Sequence, residues 1–93
     1  MPGKDGIGMV NYLILCRSLT RAQRSAAVLK RAGISAGIVR CPKEISAEGC
    51  SHCVKIAGRT FERAIALLML AELRPKRVFS VDGLGSFEEV EFT

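Results

Sequence analysis

The chain has 93 residues, of which 48% are hydrophobic, and it carries a formal net charge of +5. This length and apolar content predict one soluble domain with its own hydrophobic core. Because no apolar run reaches the roughly 18 residues of a membrane-spanning helix, no such helix is expected.

The first elements along the chain are a leader, a strand and a helix. Residues 1–9 are rich in glycine and predict a flexible leader. Residues 12–16 are a continuous apolar run, which is typical of a central strand covered on both faces. Ser18 then offers a hydroxyl that can cap a helix. Gly33 is expected to end this helix, because glycine tolerates the left-handed conformation that often follows a helix end.

Two further strands follow the first helix. Residues 35–41 predict the second strand, and Pro42 is expected to end it because proline removes a backbone donor. Residues 52–57 alternate in character with a period of two and predict the third strand. In this strand His52 faces one side of the sheet and Cys53 faces the other.

The C-terminal part of the sequence contains a second helix and a fourth strand. Thr60 is the expected cap of a helix with a wide apolar face, which should be the more buried of the two helices. Pro75 is expected to end this helix. Residues 78–81 predict the fourth strand, and residues 83–93 predict an acidic tail or an additional edge strand.

The predicted element order is therefore β-α-β-β-α-β, which is the order of the ferredoxin-like fold. We expect an α+β domain over residues 10–82, in which a four-stranded antiparallel sheet has the spatial order 4-1-3-2. Both helices are expected on one face of that sheet.

The four cysteines are expected to be reduced thiols in a cytoplasmic protein. The sequence shows no cleavable signal, since Asn11 interrupts the early apolar run and no small-residue cleavage site follows. The chain also has enough apolar residues to fold without disulfides. In a cytosol, spaced thiols such as Cys50-Ser51-His52-Cys53 more often serve redox chemistry or metal binding.

The predicted topology brings the thiols to one end of the sheet. Cys16 ends the first strand, Cys41 ends the second, and Cys50 and Cys53 flank the start of the third. The second and third strands are antiparallel neighbours, so all four cysteines are expected at the same end. The first helix begins at that end too, and the N-terminus of a helix carries partial positive charge and free amide donors.

Basic side chains are predicted around these thiols. Arg17, Arg21, Arg40 and Lys43 follow or flank the strand ends that carry the cysteines. Positive charge and a helix N-terminus favour a thiolate and lower the pKa of a cysteine. Cys50 is the best candidate nucleophile, because it follows Gly49 in a polar loop.

The other candidate residues leave alternatives open. Cys16 and Cys41 are more simply small buried hydrophobes, and Cys53 is either filler in the sheet or the resolving thiol for Cys50. His52 is more simply a partly buried strand residue than a proton donor. A zinc site from the four thiols is conceivable, but the spacing supplies only one of the two paired knuckles that structural zinc sites use. No metal and no cofactor is expected.

Several stretches resemble a known family: residues 12–18, 29–34, 41–46 and 49–50 are similar to the putative selenium/sulfur carrier protein-like family. Its members are small bacterial domains, also found as the C-terminal part of sulfurtransferase-like selenium-metabolism proteins. The most specific segment runs from Pro42 to Cys50, although Ser51 stands where the family usually has glycine. The resemblance implies that Cys50 bears a persulfide or selenopersulfide, with Ser18 and Lys43 as neighbours of the site.

The favoured function is a sulfur or selenium carrier or thiol-redox module, with carrier chemistry rather than turnover of a small substrate. Cys50 and Cys53 are its reactive residues, and Ser18, Arg17, Lys43 and Arg40 form its substrate-binding neighbourhood. The expected partners are a donor protein such as a cysteine desulfurase and an acceptor protein, with no membrane involved.

Two other functions are compatible with the sequence. The first is a non-catalytic binding module for an anionic partner, since all 14 basic residues lie before residue 78. Nucleic acid is a disfavoured partner, because recognition on an open sheet needs exposed aromatic side chains. The strands offer only Tyr12 and Phe79. The second is a metal-binding protein that uses the thiols.

Overall fold

Five strands and two helices follow one another in the computed structural model, which describes residues 10–45 and 52–92. The strands are β1 (Asn11–Leu15), β2 (Ala36–Arg40), β3 (His52–Ala57), β4 (Arg77–Val81) and β5 (Phe87–Val90). The helices are α1 (Leu19–Arg31) and α2 (Phe61–Leu70), and a short 3-10 turn at Gly58–Thr60 leads into α2. The predicted leader, residues 1–9, lies outside the described residues.

The strands form one antiparallel sheet in the order β2-β3-β1-β4-β5. The first four strands have the predicted order, with β1 between β3 and β4. The sheet has five strands and not the four of the predicted core, because β5, which lies where an additional edge strand was one of the two expectations, pairs with β4. The sheet gains this strand because the Gly83–Ser86 turn reverses the chain. Asp82 lies just before that turn, and its carboxylate accepts hydrogen bonds from the backbone amides of Leu84 and Ser86, both at 2.9 Å.

Both helices lie on one face of the sheet. Ile14, Val54 and Val78 from three strands pack there in one buried cluster. The helices contribute small and branched side chains to the same cluster, namely Ala22, Ala26, Leu29, Ala64, Ile65 and Leu68. Neither described helix is long and apolar enough to cross a membrane.

A second, smaller buried cluster lies on the opposite face of the sheet. Leu13, Leu15 and Phe79 point to this side, because they alternate with the residues that face the helices. Cys53 and the segment just after β2, with Cys41 and Ile45, complete the cluster. The central strand β1 is therefore buried on both faces, as its continuous apolar run predicts.

The ends of α1 follow the sequence signals. The Arg21 amide donates to the Ser18 hydroxyl oxygen at 3.2 Å, so Ser18 is the predicted cap. Gly33 has a φ of 84° and follows the last helical turn. The amides of Gly33 and Ile34 donate back to the carbonyls of Lys30 and Leu29, which is the hydrogen-bond pattern of a Schellman motif.

The end of α2 differs from the prediction. The helix ends at Leu70 and not next to Pro75, because the chain turns back at Glu72, which has a φ of 60°. The amides of Glu72 and Leu73 donate to the carbonyls of Met69 and Leu68, the same Schellman pattern that ends α1. The turn buries Leu73 in the helix-side cluster. Thr60 precedes α2, but its hydroxyl donates to the Ala57 carbonyl and does not cap the helix.

Glycine is expected to be the more stable residue at the left-handed position that follows each helix. Replacing Glu72 with glycine is expected to raise the free energy of unfolding by about 0.5–1 kcal/mol, because the left-handed conformation is unfavourable for residues with a Cβ. Replacing Gly33 with alanine at the matching position of α1 is expected to lower it by about 1 kcal/mol. Urea denaturation of the two variants tests both signs. A destabilised Glu72→Gly variant would contradict the left-handed assignment at Glu72.

Candidate functional site

The three described cysteines share one end of the sheet. Leu15, the last residue of β1, is paired with Cys53, so Cys16 comes directly after this pair. The Cys16 amide donates to the carbonyl of His52 at 3.2 Å. Arg40, the last residue of β2, is paired with His52, which puts Cys41 at the same end. Cys50 lies outside the described residues.

The sheet separates these cysteines into two environments. Cys16 belongs to the cluster between the sheet and the helices, with 4% of its surface exposed. Cys41 and Cys53 belong to the cluster on the opposite face. His52 alternates with Cys53 and is half-buried on the helix side, as the period of β3 predicts.

Cys41 and Cys53 form a disulfide, with their Cα atoms 5.4 Å apart. The expectation of four reduced thiols is therefore wrong for these two residues, and Cys41 is not an isolated buried hydrophobe. The cause is the register of the β2–β3 hairpin, in which Val39 is opposite Cys53. Cys41 is two residues beyond Val39, so it projects from the same face and comes within reach of a disulfide.

Cys16 is a buried thiol. Its Sγ donates to the carbonyl of Ile14 at 3.6 Å. Burial raises the pKa of Cys16, and this effect outweighs the hydrogen bond with Ser25 and the positive charge of Arg21, which both act to lower it. The thiol of Cys16 is therefore protonated at neutral pH and serves as a small apolar side chain of the core.

Cys16 is accordingly expected to react slowly with iodoacetamide at pH 7 in the folded protein, because a raised pKa leaves little thiolate and burial excludes the reagent. Unfolding in denaturant should make it react at the rate of a free cysteine. Peptide mapping after timed alkylation measures both rates. Equal labelling of Cys16 in the folded and unfolded protein would contradict its burial.

The predicted neighbours of the thiols lie at the same end of the molecule. Arg17, Arg40 and Lys43 are exposed, and Arg40 directly precedes Cys41. The Ser18 hydroxyl oxygen accepts a hydrogen bond from the Arg21 amide, so this side chain has a structural role as the helix cap. A hydroxyl is both donor and acceptor, so Ser18 can also donate its own hydrogen.

The structure gives no support to the zinc site or to nucleic-acid binding on the sheet within the described residues. Two of the four thiols proposed for a zinc site are bonded to each other. Within residues 10–45 and 52–92, no group of three or more His, Cys, Asp or Glu side chains could hold a metal ion. The two aromatic candidates for base stacking are not on an open surface. Phe79 is buried, and Tyr12 stacks on Phe61 with ring centroids 4.2 Å apart.

Strand register is the signal that could have located the disulfide. Cys41 and Cys53 both fall on the helix-free side when β2 and β3 are aligned as a hairpin with Val39 opposite Cys53. The local motif of residues 50–53 suggests Cys50 as the partner of Cys53. The actual partner, Cys41, lies across the hairpin and is distant in the sequence.

A family model described as Putative Se/S carrier protein-like matches residues 11–80 of the chain. The matched segment contains β1, both helices, β2, β3 and nearly all of β4, whereas β5 lies beyond it. No curated protein and no solved structure matches the chain. Because the family model covers most of the sequence, the chain belongs to the Putative Se/S carrier protein-like family.

Proposed function

We propose that this protein carries sulfur or selenium on Cys50 as a persulfide or selenopersulfide. Membership of the Se/S carrier family supports the class of function. The state of the other three cysteines supports the choice of residue. Cys41 and Cys53 are bonded to each other, and Cys16 is a buried thiol with a raised pKa. Cys50 is the one remaining cysteine of the sequence.

The transfer step requires no net oxidation or reduction. The Cys50 thiolate attacks the outer sulfur of a persulfide on a donor protein such as a cysteine desulfurase. The sulfur–sulfur bond of the donor breaks, and its electron pair leaves on the donor cysteine as a thiolate. Cys50 then holds the sulfur as a persulfide and can pass it to an acceptor protein by the same reaction.

Five other residues complete the proposed site. Arg17, Arg40 and Lys43 supply positive charge that favours the anionic thiolate and persulfide. Ser18 can donate its hydroxyl hydrogen to the same anion. Cys53 is the resolving thiol for Cys50 in the reduced protein, in which its sulfur is not bonded to Cys41.

Mass spectrometry tests the proposed function directly. The reduced protein, incubated with a cysteine desulfurase and cysteine, should gain the mass of one sulfur atom on Cys50. Cys50→Ser should lose this addition, whereas Cys16→Ser should keep it. An addition that maps to Cys16, or one that survives Cys50→Ser, would overturn the assignment.

The binding-module alternative predicts a different response to charge removal. In the carrier, neutral replacements of Arg17, Arg40 and Lys43 should slow alkylation of Cys50 near neutral pH. In a module that only binds an anionic partner, the same replacements should leave thiol reactivity unchanged. The alkylation rate of Cys50 against pH in both proteins separates these functions.

A further inference from the structure

β2 is an edge strand with backbone groups that no other strand of the described sheet satisfies. It is the first strand of the sheet order and pairs with β3 on one side only. The register shows which of its residues face outwards. The Cys16 amide donates to the His52 carbonyl, so His52 bonds towards β1. Because these directions alternate along a strand, Cys53 bonds towards β2.

This alternation continues across the hairpin into β2. Val39 is opposite Cys53 and therefore bonds to β3, and so does Gly37, two residues earlier. The alternate residues point their N–H and C=O groups out of the sheet, and they are Ala36, Ile38 and Arg40. These groups can pair with an added strand as long as β2 itself, which is the geometry of β-strand addition.

Apolar side chains border this open edge. Ile38 points to the helix side, because it is paired with Val54 of the helix-side cluster, and 38% of its surface is exposed. On that side α1 packs on β2 and β3. The Arg21 side chain donates to the Glu72 carbonyl after α2, so the opposite flank of α1 faces the edge. Residues one turn or three turns apart share that flank, and they are Leu19, which is 43% exposed, Gln23 and Lys30.

The β2-edge surface, as we name it, comprises the open backbone of β2 with Leu19, Lys30, Ile38 and Arg40, and it is positively charged. Arg40 lies at the end of β2, and Lys30 lies in the last turn of α1, near the start of β2. Both side chains are exposed, so one positive charge lies at each end of the surface, with Ile38 between them.

The charge of this part of the chain is of one sign. Residues 17–43, which contain α1 and β2, include seven Lys or Arg residues and no Asp or Glu. The opposite edge of the sheet is acidic, because Glu88 and Glu89 lie in β5. An acidic strand is therefore attracted to β2 and repelled by β5.

We propose that the β2-edge surface binds an extended acidic segment of a partner protein, which adds to the sheet as a strand beside β2. The segment pairs with the outward N–H and C=O groups of β2. An apolar residue at its centre packs on Ile38, and acidic side chains two residues to either side lie near Arg40 and Lys30. The inference does not rest on the carrier function. Because β2 ends beside Cys41, a partner bound in this way lies at the cysteine end of the sheet.

An NMR titration of the isotope-labelled, full-length protein tests this surface. The probe is the blocked peptide Glu-Thr-Val-Thr-Glu, which places valine opposite Ile38 and a glutamate at each end. On binding, the amides of Ala36, Ile38 and Arg40 should gain protection from hydrogen exchange, whereas those of Gly37 and Val39 are protected beforehand. The peptide Lys-Thr-Val-Thr-Lys should bind more weakly by about fivefold or more, which is the scale expected for two exposed ion pairs.

Three variants locate the binding site on the protein. Lys30→Glu should weaken binding of the acidic peptide and strengthen binding of the lysine peptide. Arg24→Glu, on the same helix but outside the flank that faces β2, is the matched control and should change neither affinity. Ile38→Pro removes the central outward N–H, which is not part of the β2–β3 ladder, and should abolish binding.

Each other outcome contradicts a particular part of the proposal. If the acidic peptide does not bind, or binds no better than the lysine peptide, the proposal is wrong. Protection gained at Gly37 and Val39 instead would overturn the assignment of the outward-facing residues. Broadening of the β2 amide signals at high protein concentration without peptide would show that a second copy occupies the edge, and would overturn the assignment to a partner protein. None of these measurements involves Cys50, so a failure of the carrier function is observed separately.

Discussion

Replacing Leu68 with alanine is expected to lower the free energy of unfolding by about 2–5 kcal/mol. Leu68 is 0% exposed and lies in the cluster that joins both helices to the sheet. Its removal leaves a cavity that the surrounding strands cannot fill, so the loss of dispersion contacts adds to the loss of hydrophobic burial. A domain of this size is stabilised by roughly 5–15 kcal/mol in total, so this loss is a large fraction of the stability.

Leu70 provides a matched control for this prediction. It lies two residues away on the same helix, but 83% of its surface is exposed. Leu70→Ala should change the free energy of unfolding by less than about 0.5 kcal/mol. Urea denaturation followed by circular dichroism measures both variants. Similar losses at the two positions would show that α2 packs through a different face.

Opening the Cys41–Cys53 disulfide is expected to lower the free energy of unfolding by about 3 kcal/mol. The two cysteines are 12 positions apart in the sequence, and a cross-link over such a loop reduces the conformational freedom of the unfolded chain. The bond also joins the edge strand β2 to β3 at the end of the hairpin where the chain connects the two strands.

Urea denaturation with and without dithiothreitol tests this effect. The wild type should show a lower midpoint in the presence of the reductant. The double variant Cys41→Ala/Cys53→Ala should have the same midpoint in both conditions. A wild-type midpoint that does not respond to complete reduction, verified by mass, would show that the cross-link contributes nothing to stability.

Local signals predicted most of the fold because each of them acts within a few residues. The β3 boundaries are as predicted, and the boundaries of β1, β2 and β4 differ by one residue. Ser18 and Gly33 predicted both ends of α1, because a hydroxyl cap and a left-handed glycine are readable from residue type. The end of α2 could not be predicted, because Glu72 has a left-handed backbone conformation that is unfavourable for glutamate.

The candidate site was less predictable because it depends on pairs of residues that are distant along the chain. The shared end of Cys16, Cys41 and Cys53 followed from the predicted topology. The bond between Cys41 and Cys53 required the register of two strands, which composition and spacing alone do not determine.

The position of β1 in the middle of the sheet has a consequence for the order of folding. β2 pairs with β3 and β4 pairs with β5 through short connections, whereas β1 pairs with strands much later in the sequence. Pairings between distant segments form slowly, because the entropy of closing a long loop is lost before the contacts form. The two hairpins are therefore expected to form first, each with an uncovered edge where β1 will insert. During synthesis β1 leaves the ribosome before its partners, so a nascent chain holds an unpaired apolar strand until β3 follows, and one edge of β1 stays open until β4 is complete. We therefore expect a chaperone that recognises extended apolar segments to bind the nascent chain at β1.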